Sequence, residues 1–302
     1  PFAAKNFQPG QFFRLQNYET FAKLVDGTRL AMEGVALTGA WVDPDAGLLS
    51  LIVLELGVSS RLVASLQPGE PVVLMGPTGA PTEIPKGETV LLAGGGLGNA
   101  VLFSIAEALE KSQNRVVYFA GYKKKEDLYK REEIERSTHQ VIWSVDAGEP
   151  IAPHRAEDKS FVGNIVQAIL AYGSGELGDP RVPLGDFTRI IAIGSDRMMA
   201  AVTAARKTVL APMLKPGHVA IASINSTMQC MMKEVCAQCL QRHVDPATGK
   251  EEFVFSCFNQ DQPQDKVDWK NLNDRLKQNG MQEKLADLWL AHVAERFPIV
   301  RV

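Results

Sequence analysis

One short stretch constrains the fold more than any other. Thr89-Val90-Leu91-Leu92-Ala93 is a continuous apolar run of strand length, Gly94-Gly95-Gly96-Leu97-Gly98 follows it, and Val101, Leu102, Ile105, Ala106 and Leu109 then recur at helical spacing. A strand apolar on both faces that turns through glycines into a helix is the opening unit of a parallel sheet covered on both sides. The glycines allow a tight turn and a close approach of backbone to ligand. The helix beyond presents unpaired N–H groups and a positive partial charge, which suit a pyrophosphate. The same pattern also serves as a bare strand-to-helix turn, so its setting has to carry the nucleotide reading.

That setting is present. Arg115–Ala120, Gln140–Val145, Arg189–Ile193 and His218–Ala222 read as further buried strands, with a polar helix over 124–136 and another from about Asp196 to Leu214. Gly194-Ser195-Asp196-Arg197-Met198 follows the strand at Arg189–Ile193, placing a second glycine at a carboxyl-end crevice; Ser195 or Asp196 equally suits a helix N-cap. Residues 148–186 are rich in Pro and Gly around one helix-like segment, Val162–Tyr172. Upstream the pattern differs. Gln11–Leu15, Leu49–Leu54 and Pro71–Met75 are short β-rich runs separated by Pro9-Gly10, Pro44-Asp45-Ala46-Gly47 and Pro68-Gly69, which predicts a barrel or sandwich. Downstream, 268–297 reads as a helical tail in which Met281, Leu285, Leu288, Trp289, His292 and Val293 share one face and Asn279-Gly280 divides the helix. The tail either packs on its own domain or meets a partner. The expected organisation is 1–86 β, 87–225 α/β, 226–260 a cysteine lobe and 261–302 the tail.

The cysteines are the second informative feature. Cys230, Cys236, Cys239 and Cys257 are the only four in 302 residues, spaced C-x5-C-x2-C-x17-C. A chain of this length can build its own core, so clustered thiols read as metal or cluster ligands rather than staples. A plant-type iron–sulfur loop is C-x4-C-x2-C with a distant fourth Cys, and this first gap is one residue longer. Structural zinc usually shows two C-x2-C knuckles, and one is present here. The spacing favours a [2Fe–2S] cluster over zinc or unliganded thiols. The five histidines show no metal spacing, and no Ser-His-Asp or paired-carboxylate constellation stands out, so no side-chain catalytic group is expected. Lys123-Lys124-Lys125 either greets a 2′-phosphate or begins a solvated helix. A net charge of −3 and a pI near 6.0 argue against nucleic acid as a partner. No apolar run is long enough to span a bilayer and no signal peptide opens the chain, which points to the cytoplasm; the start at Pro1-Phe2 without Met suggests a piece of a longer polypeptide.

The order of barrel, Gly-turn α/β domain and cysteine lobe resembles the ferredoxin–NADP reductase superfamily over about residues 8–260, and within it the electron-transfer subunits of dihydroorotate dehydrogenase and the small subunits of NADH-dependent ferredoxin:NADP oxidoreductase. Gln8-Pro9-Gly10-Gln11-Phe12, Gly57-Val58-Ser59-Ser60, Gly76-Pro77-Thr78-Gly79, Gly94–Gly98, Ala120–Leu128, Asp146-Ala147-Gly148, Met228-Gln229-Cys230 through Cys239, and Ser256-Cys257 carry the resemblance. It implies FAD held by Val35, Ala36, Leu37, Thr38, Leu54, Gly57, Ser59 and Ser60 of an FAD-binding β-barrel. It implies NAD(P)H on Gly94, Gly95, Gly96, Leu97, Gly98, Gly121, Asp146, Gly194, Ser195 and Met198. It also implies a [2Fe–2S] cluster on Cys230, Cys236, Cys239 and Cys257, and a partner oxidoreductase subunit or fused domain that exchanges electrons with it. The family's flavin signature, Arg-Pro-x-Ser, is replaced by the stretch Glu33-Gly34-Val35-Ala36, which puts a carboxylate in place of the phosphate-binding Arg and leaves Arg61 or Arg29 to compensate. The same departure motivates a second reading, a docking module with a zinc-bound cysteine lobe and no flavin.

Overall fold

The computed structural model describes residues 1–296 apart from Asp26, Asn225, residues 227–229, Met231 and Asn279. The Met228-Gln229 approach to the first cysteine, residue 279 of the tail break, and 297–302 therefore lie outside the described residues. A short helix α1 (Phe2–Asn6) precedes β1 (Phe12–Asn17), a hairpin β2 (Leu24–Val25) and β3 (Thr28–Arg29), then β4 (Val35–Asp43), β5 (Leu48–Leu51), α2 (Val58–Val63) and β6 (Val72–Thr78). The larger strands form an antiparallel sheet in the order β5-β4-β1-β6. Phe12, Phe13 and Leu15 are all buried, because β1 lies between two partners with both faces covered. The Pro44–Gly47 turn signal works as expected: Asp43 accepts the N–H groups of Asp45 and Ala46 and so turns β4 into β5. Among the described residues the pairing gives an open sheet plus a separate hairpin, without ring closure. Neither α1 nor α2 is visible in the β-rich sequence pattern of this region.

The second unit is a seven-stranded sheet. It comprises β7 (Thr89–Gly95), β8 (Arg115–Tyr122), β9 (Gln140–Val145), β10 (Lys159–Val162), β11 (Arg189–Ile193) and β12 (Val219–Ser223), with β15 (Asp261–Pro263) antiparallel at the edge. The hairpin of β13 (Leu240–Val244) and β14 (Glu251–Phe255) stands apart as part of the cysteine lobe. The sheet order is β10-β9-β8-β7-β11-β12-β15. Alternate residues of each strand feed opposite cores. Val90, Leu92, Val116 and Tyr118 meet Leu102, Ile105 and Leu109 of α3 (Gly98–Lys111) and Ile134 of α4 (Arg131–Arg136). Leu91, Ala93, Val117 and Phe119 meet Ile165 and Ile169 of α5 (Ile165–Gly173), Met199 and Val202 of α6 (Asp196–Lys207) and Leu272 of α7 (Trp269–Leu276). The strands read from sequence in this unit are found within two residues at each end, whereas upstream the run Leu49–Leu54 ends three residues early in β5 and the run Pro71–Met75 extends three residues further in β6. The Pro/Gly-rich connection also contains β10, whose four residues are too few and too mixed to announce a strand. The helix expected over 124–136 is confined to α4, which starts after a left-handed Lys130.

The final helix, α8 (Gly280–Arg296), docks on the N-terminal unit. Leu290 and Val293 are buried with Val25, Leu30, Met32 and Leu62. Of the face read from sequence, Val293 is buried, whereas Met281, Leu285, Leu288 and Trp289 are exposed. The helix thus turns a different stripe inward.

One short segment ties the units together. Phe258 accepts the Ala80 N–H (2.6 Å), Gln260 donates from Nε2 to the carbonyls of Gly10 (2.8 Å) and Ala80, and its own carbonyl accepts the Ile224 N–H (2.7 Å). The Thr82 N–H donates to Pro9 (2.9 Å), closing the same junction. Gln260→Ala leaves the Gly10 and Ala80 carbonyls without this donor at a buried site, which should cost about 1–3 kcal/mol. A urea titration should show a lowered midpoint; an unchanged midpoint would contradict the role assigned to this junction.

Candidate functional site

The glycine turn lies at the carboxyl ends of β7, β8 and β11, where open α/β sheets take ligands. Its glycines have separable reasons. A Cβ at Gly98 would stand 2.3 Å from the Ile193 carbonyl oxygen, and one at Gly94 would stand 2.0 Å from Asn99 Oδ1. Cβ atoms at Gly95 and Gly194 would meet Met198 Cε at 2.9 and 2.7 Å, and Gly121 is similarly close-packed against Ile165 and the Gly94 carbonyl. These positions are glycine because helix, strands and Met198 crowd together. Gly96 differs: its φ is +54° and nothing lies within 4 Å of its Cβ position, so the turn opens outward there. A buried Asn99 fixes the turn, donating to Gly96 (2.9 Å) and Gly121 (3.3 Å) while accepting from the Tyr118 hydroxyl (2.9 Å). The Tyr129 hydroxyl also donates to the Gly96 carbonyl (3.0 Å), and burial raises its pKa, so it stays a donor. Asn99 and Tyr129 were not among the residues read from sequence; the signal available was a polar Asn in the first turn of an otherwise apolar helix face.

Leu97 immediately precedes α3, and Ser195 Oγ accepts the Met198 N–H (3.2 Å), so the N-cap reading of Ser195 holds beside the crevice. Gly94–Gly98, Gly121, Gly194, Ser195 and Met198 come together. Asp146 follows the neighbouring β9, its N–H donating to the Tyr122 carbonyl (3.0 Å). The lysine run is partly spent locally: Lys125 pairs with Glu149 of the segment after β9, and the Lys124 N–H donates to Asp127 (3.1 Å).

The residues read as a flavin stretch lie on β4 and around α2. Val35, Ala36, Leu37 and Thr38 pair with Leu15, Arg14, Phe13 and Phe12 of β1. β4 also packs against α3, and Ala40 joins the core beneath it. Ala36 meanwhile packs with Phe12 against Met232, Cys239 and Cys257. One strand therefore touches both the helix that follows the glycine turn and the cysteine lobe. This observation fits a ring system held along β4 between the two. The other end of the stretch is more crowded. Ser59 Oγ accepts the Glu33 N–H (3.1 Å), and Ser60 Oγ accepts those of Leu56 and Gly57 (both 3.0 Å); Leu54 is exposed. Neither cation expected to compensate points to an open site. Arg29 caps the carbonyls of Glu19 (3.0 Å) and Ala22 (3.3 Å), and Arg61 lies 3.4 Å from Asp287 of α8. Sequence reading missed Arg14. It is buried, and its Nε lies 1.9 Å from where a Gly34 Cβ would stand, so the glycine leaves the notch that this side chain fills. A single Arg inside the apolar run Gln11-Phe12-Phe13-Arg14-Leu15 was the available signal.

None of the four cysteines is disulfide-bonded. Cys239 and Cys257 are buried and Cys230 and Cys236 half-buried. The thiols of Cys239 and Cys257 hydrogen-bond, as do those of Cys230 and Cys236. Between them the loop takes left-handed backbone at Met232, Glu234 and Ala237 (φ 65°, 57° and 57°), which turns N–H groups toward sulfur. The Cys236 and Val235 N–H groups pull the Cys230 thiol down to about 6. Burial, followed by the hydrogen bond with Cys239, pushes Cys257 up to about 12. Among the described residues no group of three or more His, Cys, Asp or Glu side chains closes into metal-binding geometry. What fits a cluster is the donor chemistry: four undisulfided thiols of one lobe, with backbone N–H groups aimed at sulfur. No helix among the described residues is long and apolar enough to cross a membrane.

No protein-family model matches the chain. An uncharacterised protein of Rickettsia prowazekii is 34% identical over 287 residues, 95% of this chain and 30% of that protein. The dihydroorotate dehydrogenase B electron transfer subunit homologue of Thermotoga maritima is 29% identical over 164 residues, 53% of this chain and 54% of that protein. The chain thus spans from under a third to about half of the length of these relatives. Among solved structures, that of an NADH-dependent reduced ferredoxin-NADP oxidoreductase superposes with a TM-score of 0.74 at 25% identity, covering 96% of this chain and 90% of that one. Sequence relatives and structural neighbour converge on one grouping, the ferredoxin–NADP reductase superfamily, and support the resemblance read from the sequence.

Proposed function

We propose that the chain is an electron-transfer module that moves electrons between NAD(P)H, FAD and a [2Fe–2S] cluster, to or from a partner oxidoreductase subunit or domain. The observation that carries this reading is the position of β4, packed against α3 behind the glycine turn and, through Ala36, against the cysteine lobe. The likeness to a dihydroorotate dehydrogenase B electron transfer subunit homologue and to an NADH-dependent reduced ferredoxin-NADP oxidoreductase supports it. When bound, the nicotinamide and flavin supply two-electron chemistry and the cluster supplies one-electron transfer; the protein supplies placement. Gly96 and the N-terminus of α3 would receive the pyrophosphate, with Asn99 and Tyr129 holding the turn in shape. Val35–Thr38 would line the flavin, and Cys230, Cys236, Cys239 and Cys257 would ligate the cluster. No side chain is assigned a proton transfer. A docking module with zinc in the cysteine lobe and no flavin is the second reading, favoured by the crowding around Gly57–Arg61.

Gly96 is the position that separates ligand from packing. Gly96→Ala accepts a left-handed penalty of roughly 1–2 kcal/mol and should raise the NADH dissociation constant several-fold in calorimetry. Gly98→Ala, with its Cβ against the Ile193 carbonyl, should instead lower stability by about 1–3 kcal/mol. Unchanged affinity for both NADH and NADPH in Gly96→Ala would contradict a dinucleotide site at this turn.

The cluster has its own test. Cys236→Ala and Cys239→Ala should each lose iron and acid-labile sulfide, with circular dichroism of the α/β unit retained. Stoichiometric iron and sulfide in both variants would contradict the ligand assignment.

A further inference from the structure

The C-terminal helix stands where the flavin phosphates are expected. Glu283 Oε2 of α8 lies 3.0 Å from the Cβ position of Gly57, the N-cap residue of α2. One turn along, Asp287 pairs with Arg61, whose Nη1 is 3.4 Å from Asp287 Oδ1 and 3.5 Å from its carbonyl oxygen. Glu283 and Asp287 are four residues apart, so they occupy one face of α8, and that face meets Gly57–Arg61. Leu290, on the following turn, anchors the helix beside Leu62. Within the stretch, Ser60 Oγ accepts the Gly57 N–H and its hydroxyl donates to the Gly57 carbonyl, while Ser59 Oγ accepts the Glu33 N–H.

We infer that α8 is an acidic strap that competes with the FAD pyrophosphate for the Gly57–Arg61 surface; this rests on the flavin reading above. Two carboxylates and two phosphates cannot share one small patch with a single Arg. The side chains therefore favour exchange, in which the phosphates take Arg61 from Asp287 and displace Glu283. The docking is light enough to allow it. Leu290 and Val293 are buried on the N-terminal unit, while Met281, Leu285 and Leu288 remain 60–71% exposed on the outer side. A strap that lifts would leave the sheet core beneath it in place. Flavin loading would then depend on the state of the C-terminal helix.

The test uses the full chain, stripped of flavin and titrated with FAD by fluorescence quenching. Glu283→Gln combined with Asp287→Asn should tighten FAD binding at least three-fold. Leu290→Ala, which loosens docking without altering charge, should change affinity in the same direction. Hydrogen exchange over 281–293 in the wild type should rise when FAD is added. Equal FAD affinity in wild type and both variants, with α8 protection unchanged by FAD, overturns the strap and leaves the flavin reading standing. Failure of wild type and both variants to bind FAD at all overturns the strap and the flavin reading together.

Discussion

The fold depends on the junction made by residues 257–261. Within five residues the chain presents the fourth cysteine, a carbonyl that receives Ala80, a glutamine that holds Gly10 and Ala80, and the start of the edge strand beside β12. Asp261 sits at its end near Thr82 and Ser223, its carboxyl pushed up by burial. The Gln260 contacts are polar contacts between units, and the one to Gly10 is buried, where polar groups tolerate little displacement before a partner is lost. The junction therefore sets the position of the cysteine lobe relative to both sheets.

Given that junction, glycine placement shapes the crevice. Gly94, Gly95, Gly98, Gly121 and Gly194 let β7, β8, β11, α3 and Met198 approach closely, and Gly96 leaves the turn open to solvent. Close packing and an open turn are carried by adjacent glycines of one motif, which is why the motif alone is a weak signal and its surroundings are strong. β4 then serves two neighbours, with Ala40 under α3 and Ala36 against the cysteine lobe. Small side chains at both positions make that double contact possible.

Much of the α/β unit was legible in the sequence. Buried parallel strands are continuous apolar runs, and Gln140–Val145 and Arg189–Ile193 are found with the bounds they were given. The N-terminal unit was less so, because α2 has only six residues and its sequence, Val58–Val63, carries Val and Ser as readily as a strand would. The face of α8 was misjudged for a related reason. Met281, Leu285, Leu288 and Trp289 form the more apolar stripe, yet docking follows Leu290, Val293 and the charge pairing of Asp287, which depend on where α2 lies. The candidate site was legible as a set of residues but not as roles. Asn99, Tyr129 and Arg14 act through contacts with residues distant in sequence, which no local pattern encodes.

The central claim is that one chain gathers a nicotinamide site, a flavin and an iron–sulfur cluster. The absorption spectrum of the anaerobically purified chain, recorded before and after adding NADH and then NADPH, tests it most directly. The account predicts flavin bands on a broad iron–sulfur background, both bleached by at least one of the two coenzymes. A colourless protein containing zinc and no flavin would contradict it.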